Sequence, residues 1–388
     1  MLLIPAACFA YDPDAVKAQN DSIKSGQITP APTVAEKKEG FDPGEMIMEH
    51  IADAHEWHIA FGKAVPLPVI LKTDKGIEMF SASHLINEET HEHAVYQGTY
   101  YSYKYAEGGK IVVWDPVMDR ENEEATAKLF DISITKNVVS LFVVVILMML
   151  VFLSVAKAYK RRPGQSPRGL QSFVEPLIIF IRDDVAKASI GKKHEKFMPY
   201  LLTVFFFILF SNLLGLIPVM PGGANFTGNI AITACLALLT FIITTINGNG
   251  HYWRHVFAMP GVPVGVLIIL TPIEILGVFL RPFVLMIRLF ANITAGHIIA
   301  LAFYSLIFIF GDNGKSVGAG LGVSVVSVAF TVFMMFMELL VAFLQAYVFT
   351  LLSAIYFGSA VEEHHHEHEH AEDFDGLPNA HGHATVNA

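Results

Sequence analysis

The sequence predicts an all-α polytopic membrane protein. It has five membrane-crossing segments, among them a long tilted two-helix hairpin, together with an amphipathic surface helix and a polar N-terminal extension. Three observations carry this. More than half of the residues are apolar (53%) and only 16% are charged, a balance that soluble proteins rarely show. The apolar residues concentrate between positions 137 and 357, in runs that reach or exceed the roughly 20 residues needed to cross a bilayer. Finally, Arg288 lies inside one of these runs, where a charge costs at least a few kcal/mol and is seldom kept without a function.

Four regions follow from composition. Residues 1–10, MLLIPAACFA, read either as the remnant of a secretory signal or as a frayed apolar terminus. Residues 11–130 form a polar extension rich in His, Glu and Tyr. Within it GEMIMEHIADAHEWHIAF (Gly44–Phe61) reads as a helix, while VYQGTYYSYKY and KIVVWDP read as strands. Residues 62–120 are therefore expected to form a small folded insertion. Residues 131–360 make the membrane domain. Residues 361–388 are an acidic, His-rich tail, for which a solvated, disordered segment is the simpler expectation. His364, His365 and His366 in that tail, like His84, His91 and His93 upstream, are candidate metal ligands by composition alone.

The spans are justified in chain order. Asn137–Ala156 is about twenty residues long and uncharged, enough for an anchor. In the segment that follows, Phe173, Leu177, Ile178, Phe180, Ile181 and Val185 fall roughly on one helical face, with Glu175, Arg182, Asp183, Asp184 and Lys187 on the rest. That is the pattern of a helix lying at a membrane surface. Tyr200–Val219 is the second span, closed by Pro218. Ile230–Ile246 is the third, after a Pro/Gly/Asn loop. Val262–Phe310 and Val317–Phe357 are too long for upright crossings, so they tilt, kink or lie obliquely. Basic residues follow the first span (Lys157, Lys160, Arg161, Arg162, Arg168) and recur at Arg254. The positive-inside rule then places the N-terminal region outside and the C-terminal tail in the cytoplasm.

The net charge of −10 comes from the two polar ends and argues against a nucleic-acid partner. The two cysteines, Cys8 and Cys235, form neither a disulfide framework nor a metal-type spacing. No G-x-x-x-x-G-K-[ST] loop is present, so any nucleotide chemistry belongs to other chains, and no cofactor is expected.

The chemistry lies in the two long segments. The first carries Glu274, Arg281, Arg288, Asn292 and His297, and the second carries Glu338 and Gln345. Glu274, Arg281 and Arg288 are spaced by seven and share a face, with Asn292 one turn beyond. Glu274 and Arg288 are about 21 Å apart along a helix rising about 1.5 Å per residue. His297 is nine residues past Arg288, nearly on the opposite side. Arg288 keeps its charge under nearly all conditions, while a His and a buried Glu are natural proton-exchange groups. Whether His297 and Glu338 meet depends on helix tilt. Glu274 with Arg281 can equally be a structural pair, and His297 alone can equally be a satisfied buried histidine.

RLFANITAGH and the downstream FLQAYVFTLLSAIYF, with FSNLLGLIP (Phe210–Pro218) and the PIE…RPF stretch (Pro272–Phe283), resemble subunit a of F-type ATP synthases over roughly residues 130–362. The resemblance implies a non-catalytic stator of the bacterial inner membrane, N-terminal region periplasmic and C-terminus cytoplasmic. Its partners would be a rotating ring of c subunits, the b stalk and the rest of the complex. Arg288 matches the family's essential arginine, which attracts the ring carboxylate and displaces its proton between two half-channels. Gln345 matches the glutamine facing that arginine. His297 and Glu338 fall on two coupled channel positions, in an order swapped relative to many bacterial members. Asn292, Asn212 and Glu274 fall on polar channel-side positions. The His–Glu pair leans toward protons rather than Na⁺. The alternative, a secondary metal-ion transporter with a His-rich tail, is disfavoured by the arginines among its would-be ligands.

Overall fold

In the computed structural model, the structure describes residues 53–59, 63–86, 94–106, 109–217, 222–259, 262–311 and 317–362, together with Gly44 and Ile47. The proposed signal remnant, half of the expected Gly44–Phe61 helix, His91, His93 and His364–His366 lie outside these residues.

The chain is not all-α. Nine short strands, all paired antiparallel, precede the membrane helices. β1 (Glu56–Ile59) pairs with β2 (Lys63–Pro66). β3 (Pro68–Lys72) lies between β4 (Ile77–Ser81) and β9 (Phe130–Asp131). β5 (Tyr96–Gln97), β6 (Ser102–Tyr105), β7 (Ile111–Asp115) and β8 (Arg120–Glu121) form a four-stranded sheet in sequence order. Alternation drives the packing: Val69 and Leu71 from β3 and Tyr103 and Tyr105 from β6 point inward, and meet Leu85, Ile111 and Val113 in one apolar core. Glu56–Ile59 corrects the helical reading of that stretch, because pairing with β2 satisfies its backbone and buries Trp57.

One ionic contact closes this β domain. His55 Nε2 donates to Asp131 Oδ2 at 3.2 Å, and the Ser133 hydroxyl and backbone N–H also donate to the Asp131 carboxylate. Burial pushes the Asp131 pKa up, but the hydrogen bonds from His55 and Ser133 outweigh burial and hold it below the ordinary carboxylate value. The stability it contributes is therefore complete above its unfolded value and is lost as pH falls through its lowered folded value.

A short helix α1 (Glu123–Ala127) precedes β9, and the elements after β9 are helical. α2 (Lys136–Arg161) contains the expected first span. α3 (Leu170–Phe180) runs through a π-helical stretch, Ile181–Lys187, into a turn of helix at Ala188–Ile190. Its buried line is Gln171, Val174, Ile181 and Val185, while Phe173 is 67% exposed. Leu177, Ile178, Phe180, Ile181 and Val185 of the expected face pack into the core, and only Phe173 departs, because it sits about 100° around the helix from Val174. α4 (His194–Gly215) starts before the expected span and stops short of Val219. It ends ahead of Pro218, whose ring disfavours helix in the residue before it.

α5 (Ile230–Ile246) has the boundaries read from the sequence. His251, Arg254 and His255 lie on a further helix, α6 (Gly250–Phe257), rather than in a loop, and α6 bends from α5 by 104°. α7 (Val264–Phe310) and α8 (Val317–Val361) have 47 and 45 residues. At about 1.5 Å per residue each is close to 70 Å long, far more than a hydrocarbon core of about 30 Å, so neither can stand upright. Among the described residues, four helical runs are long and apolar enough to cross a membrane, or five if bent α5–α6 counts as one.

The membrane helices share one core. Leu285 and Leu289 of α7 and Ala346, Phe349, Ala354 and Phe357 of α8 pack against Phe197, Leu201, Phe205 and Leu209 of α4 and Ile181 and Val185. Gly358 lets α8 reach the Ala188–Ile190 turn, since a Cβ at that position would collide with the Ser189 carbonyl.

Gly358→Ala is expected to destabilise the packed bundle by about 1–3 kcal/mol, the usual range for overpacking, while Gly265→Ala, in open space on α7, is expected to be neutral. Thermal unfolding in detergent checks the contrast, and equal midpoints would refute the steric argument. In the β domain, amide exchange around Asp131 is expected to accelerate as pH falls below about 4 in the wild type, with no such step in Asp131→Asn.

Candidate functional site

α7 and α8 lie antiparallel, and the contacts that hold them are polar as well as apolar. The Ser327 hydroxyl donates to the Phe303 carbonyl. Phe303 and Phe330 stack with ring centroids 5.1 Å apart. Gln345 Nε2 reaches the Arg288 carbonyl at 3.5 Å, the long end of hydrogen-bond geometry. This register sets every site residue on the pair.

Arg288 is on the outward side of α7. Its neighbours Leu285 and Leu289 are buried in the bundle core, whereas Phe283, Val284 and Ile287 are exposed beside it. Across from it on α8, Phe336, Leu340, Phe343 and Leu344 are exposed too. Arg288 thus sits on an uncovered apolar face, and among the described residues its guanidinium makes no hydrogen bond and no ion pair. Asn292, one turn along, is exposed on the same helix. Gln345 is buried (4% exposed) behind Arg288.

Glu338 packs against Gly296. A Cβ on Gly296 would lie 2.9 Å from Glu338 Oε1 and 3.2 Å from its Cγ. Since His297 follows Gly296, the antiparallel register brings His297 and Glu338 to the same level. Both are partly buried, and Glu338 Oε1 has no hydrogen-bond partner among the described residues. Gly296, inside RLFANITAGH, is a close-approach position that the sequence reading does not single out.

Asn212 of α4 joins this region. Its Nδ2 donates to the Ala342 carbonyl of α8 at 3.2 Å, and its Oδ1 accepts from Thr227 Oγ1 at 2.6 Å. Ala342 is one turn from Glu338. The loop carrying Thr227 also touches α7, where Thr294 Oγ1 donates to the Gly228 carbonyl at 3.5 Å. Neither Thr227 nor Thr294 is singled out from sequence, although Thr294 lies inside RLFANITAGH.

Glu274 is not brought to Arg288. It lies 3.5 Å from Arg281 Nη2 and 4.0 Å from His255 Nδ1, in a separate polar cluster toward the start of α7. Arg281 also stands over the Tyr356 ring, 5.7 Å from its centroid. The structure thus contains two polar groupings on opposite sides of Arg288 along α7. No group of three metal-ligand side chains occurs among the described residues, and His84 instead stacks on Tyr96.

Residues 138–358 match the family model described as ATP synthase A chain. The chain belongs to the ATP synthase A chain family. A protein of Chloroherpeton thalassium called ATP synthase subunit a is 43% identical over 261 residues, 66% of this chain and 72% of that one. ATP synthase subunit a 2 of Chlorobaculum tepidum is 46% identical, covering 62% of this chain and 67% of its own length. ATP synthase subunit a of Anaeromyxobacter sp. (strain Fw109-5) is 35% identical over 337 residues, 84% of this chain and 73% of that one. Membership makes the chain a multi-pass membrane component of an ATP synthase, with the other subunits as its partners. Residues 46–132, which include the β domain, match a domain of unknown function (DUF8433).

The Gly296–Glu338 approach yields a test. Gly296→Ala is expected to push the Glu338 carboxylate aside and lower ATP-driven proton pumping several-fold in an assembled complex. Pumping at the wild-type rate would show that the close approach is dispensable.

Proposed function

We propose that this chain is the proton-conducting stator of its ATP synthase, facing a rotating ring of c subunits across the exposed side of α7 and α8. One observation carries the reading: a permanently charged guanidinium, Arg288, stands on an apolar face without a counter-charge among the described residues. A cation at that depth calls for an anion from another chain, and a ring carboxylate passing the face is such an anion.

The electrostatics suit that task. A ring carboxyl must be neutral while it faces lipid and charged when it gives up its proton. At about 4 Å, with an effective dielectric of about 20, the attraction to Arg288 is about 4 kcal/mol. That is enough to favour the charged form without holding the rotor fast. Gln345, on the Arg288 carbonyl, fixes the helical register of the arginine. Asn292 extends the polar surface by one turn.

Protons reach and leave the ring by two offset half-channels. The outer one runs along Asn212, Glu338 and His297, where a His and a Glu at one level can pass a proton between them. The inner one borders Glu274, near Arg281 and His255. Arg288 lies between them and blocks direct leakage. The β domain is then periplasmic, the C-terminus cytoplasmic and the membrane the bacterial inner membrane. The subunit performs no ATP chemistry itself. The b stalk holds it against the torque of the ring.

Arg288→Ala is expected to abolish both proton-driven ATP synthesis and ATP-driven pumping while the complex still assembles. Coupled pumping retained in that variant would refute the assignment. His297→Ala is expected to slow transport, and the double exchange His297→Glu with Glu338→His to restore part of it. A double variant no better than either single one would show that the two do not act together.

A further inference from the structure

The loop between α4 and α5 is unusual for a connection. Loops ordinarily lie on the surface, yet Gly222 and residues 224–228 are all buried. Its inner side makes the polar contacts to Asn212 and Thr294 already described. Its outer side is held by the β domain: Trp57 Nε1 donates to the Gly222 carbonyl at 3.0 Å in a buried hydrogen bond, and Trp57 is only 4% exposed. Gly222 has no room for a side chain, because a Cβ would lie 2.6 Å from the Leu214 carbonyl. The domain is also fastened at the start of α2, where Lys136 N–H donates to the Ala54 carbonyl at 2.9 Å and Asn137 N–H to Asp53 Oδ1 at 3.3 Å.

Within this loop Asn225 is 5% exposed, yet among the described residues neither its Oδ1 nor its Nδ2 has a partner. Buried amides are satisfied by protein or by internal water. Asn225 has Thr227 two residues away, and Thr227 leads to Asn212 and the carbonyl one turn from Glu338. Thr227, Asn212 and the Ala342 carbonyl are thus hydrogen-bonded in series to within one turn of Glu338, and Asn225 lies two residues from the start of that series.

We propose that the β domain controls the outer proton inlet, holding the Asn225 loop in its conducting position through the Trp57–Gly222 hydrogen bond. The inference rests on the stator reading above and gives the domain of unknown function a role in it. Loosening the latch lets Asn225 and Thr227 drift from Asn212 and breaks the water path, so protons arrive more slowly.

The whole complex reconstituted in lipid vesicles tests this with three variants. Trp57→Phe keeps an aromatic ring in the domain but removes the donor. Asn225→Leu keeps the volume and removes the polar group. Arg288→Ala reports on the stator reading. Trp57→Phe is expected to speed amide exchange over residues 222–229 about tenfold, as for one lost buried hydrogen bond, and to slow ATP-driven pumping several-fold with ATP hydrolysis by the complex retained. Asn225→Leu is expected to slow pumping without changing exchange in the β domain. Pumping retained in Arg288→Ala sinks the stator reading itself. If Arg288→Ala stops pumping but Trp57→Phe pumps like the wild type, the inlet role of the domain fails alone, whether or not exchange rises. Should Trp57→Phe not assemble, wild-type pumping by Asn225→Leu overturns the proposal.

Discussion

A positive charge that cannot be discharged, placed on a surface built for lipid, is the constraint around which this molecule is organised. Hydrocarbon offers it no partner, and the described residues of the chain offer none within ion-pair reach. The surrounding structure keeps it there. Leu285 and Leu289 turn inward on the same helix and pin the rotation of α7. Gln345 approaches the backbone at Arg288 from the buried side of α8. The arginine is therefore held outward by packing on the other side of its own helix.

The polar contacts between helices follow the same economy. In a membrane interior, an unpaired backbone or side-chain polar group is costly, and small residues let helices approach closely enough to share such groups. Gly296 admits the Glu338 side chain, Gly358 admits the Ser189 carbonyl, and Asn212 bridges α4 to α8 and to the α4–α5 loop. Several hydroxyls turn back on their own helix, as Thr244 does to Thr240 in α5 and Thr350 to Ala346 in α8. Others join two helices: Ser327 of α8 reaches the Phe303 carbonyl of α7, and Tyr200 of α4 meets Thr240 of α5.

Much of the membrane domain was legible because its signal is a continuous apolar run. Ile230–Ile246 was read to the residue, and the two long helices to within a few residues at each end. The β domain was much less legible. Its strands are short, its core uses Tyr103 and Tyr105 as much as aliphatic residues, and its pairings join positions as distant as Leu71 and Asp131. Glu56–Ile59 carries a helical pattern in a stretch where hairpin pairing with the next strand, Lys63–Pro66, wins. At the site, the residue types at Arg288, His297, Glu338 and Gln345 were visible in sequence. Their register was not, since a crossing between two helices of this length depends on tilt, which no local spacing encodes. Glu274 shows the opposite case: sharing a face with Arg288 does not bring it near, because about 21 Å of helix separates them, and Arg281 and His255 lie within its reach instead.

The two halves of α8 are supported very differently. From Gln345 to Val361 the helix is embedded against α4 and the Ile181–Ile190 segment, and at its end the Ala360 carbonyl accepts the Asn249 N–H at 2.9 Å. From Leu321 to Leu340 it is mostly bare, resting chiefly on α7. Mechanically this is a cantilever clamped at one end. Arg288 and Gln345 stand at the root, where a sideways load bends the beam least, and the free tip toward Gly311 is compliant. On the stator reading proposed above, a rotor pushing past the arginine would meet the stiffest point of the rod, and small irregularities in its rim would be absorbed farther out.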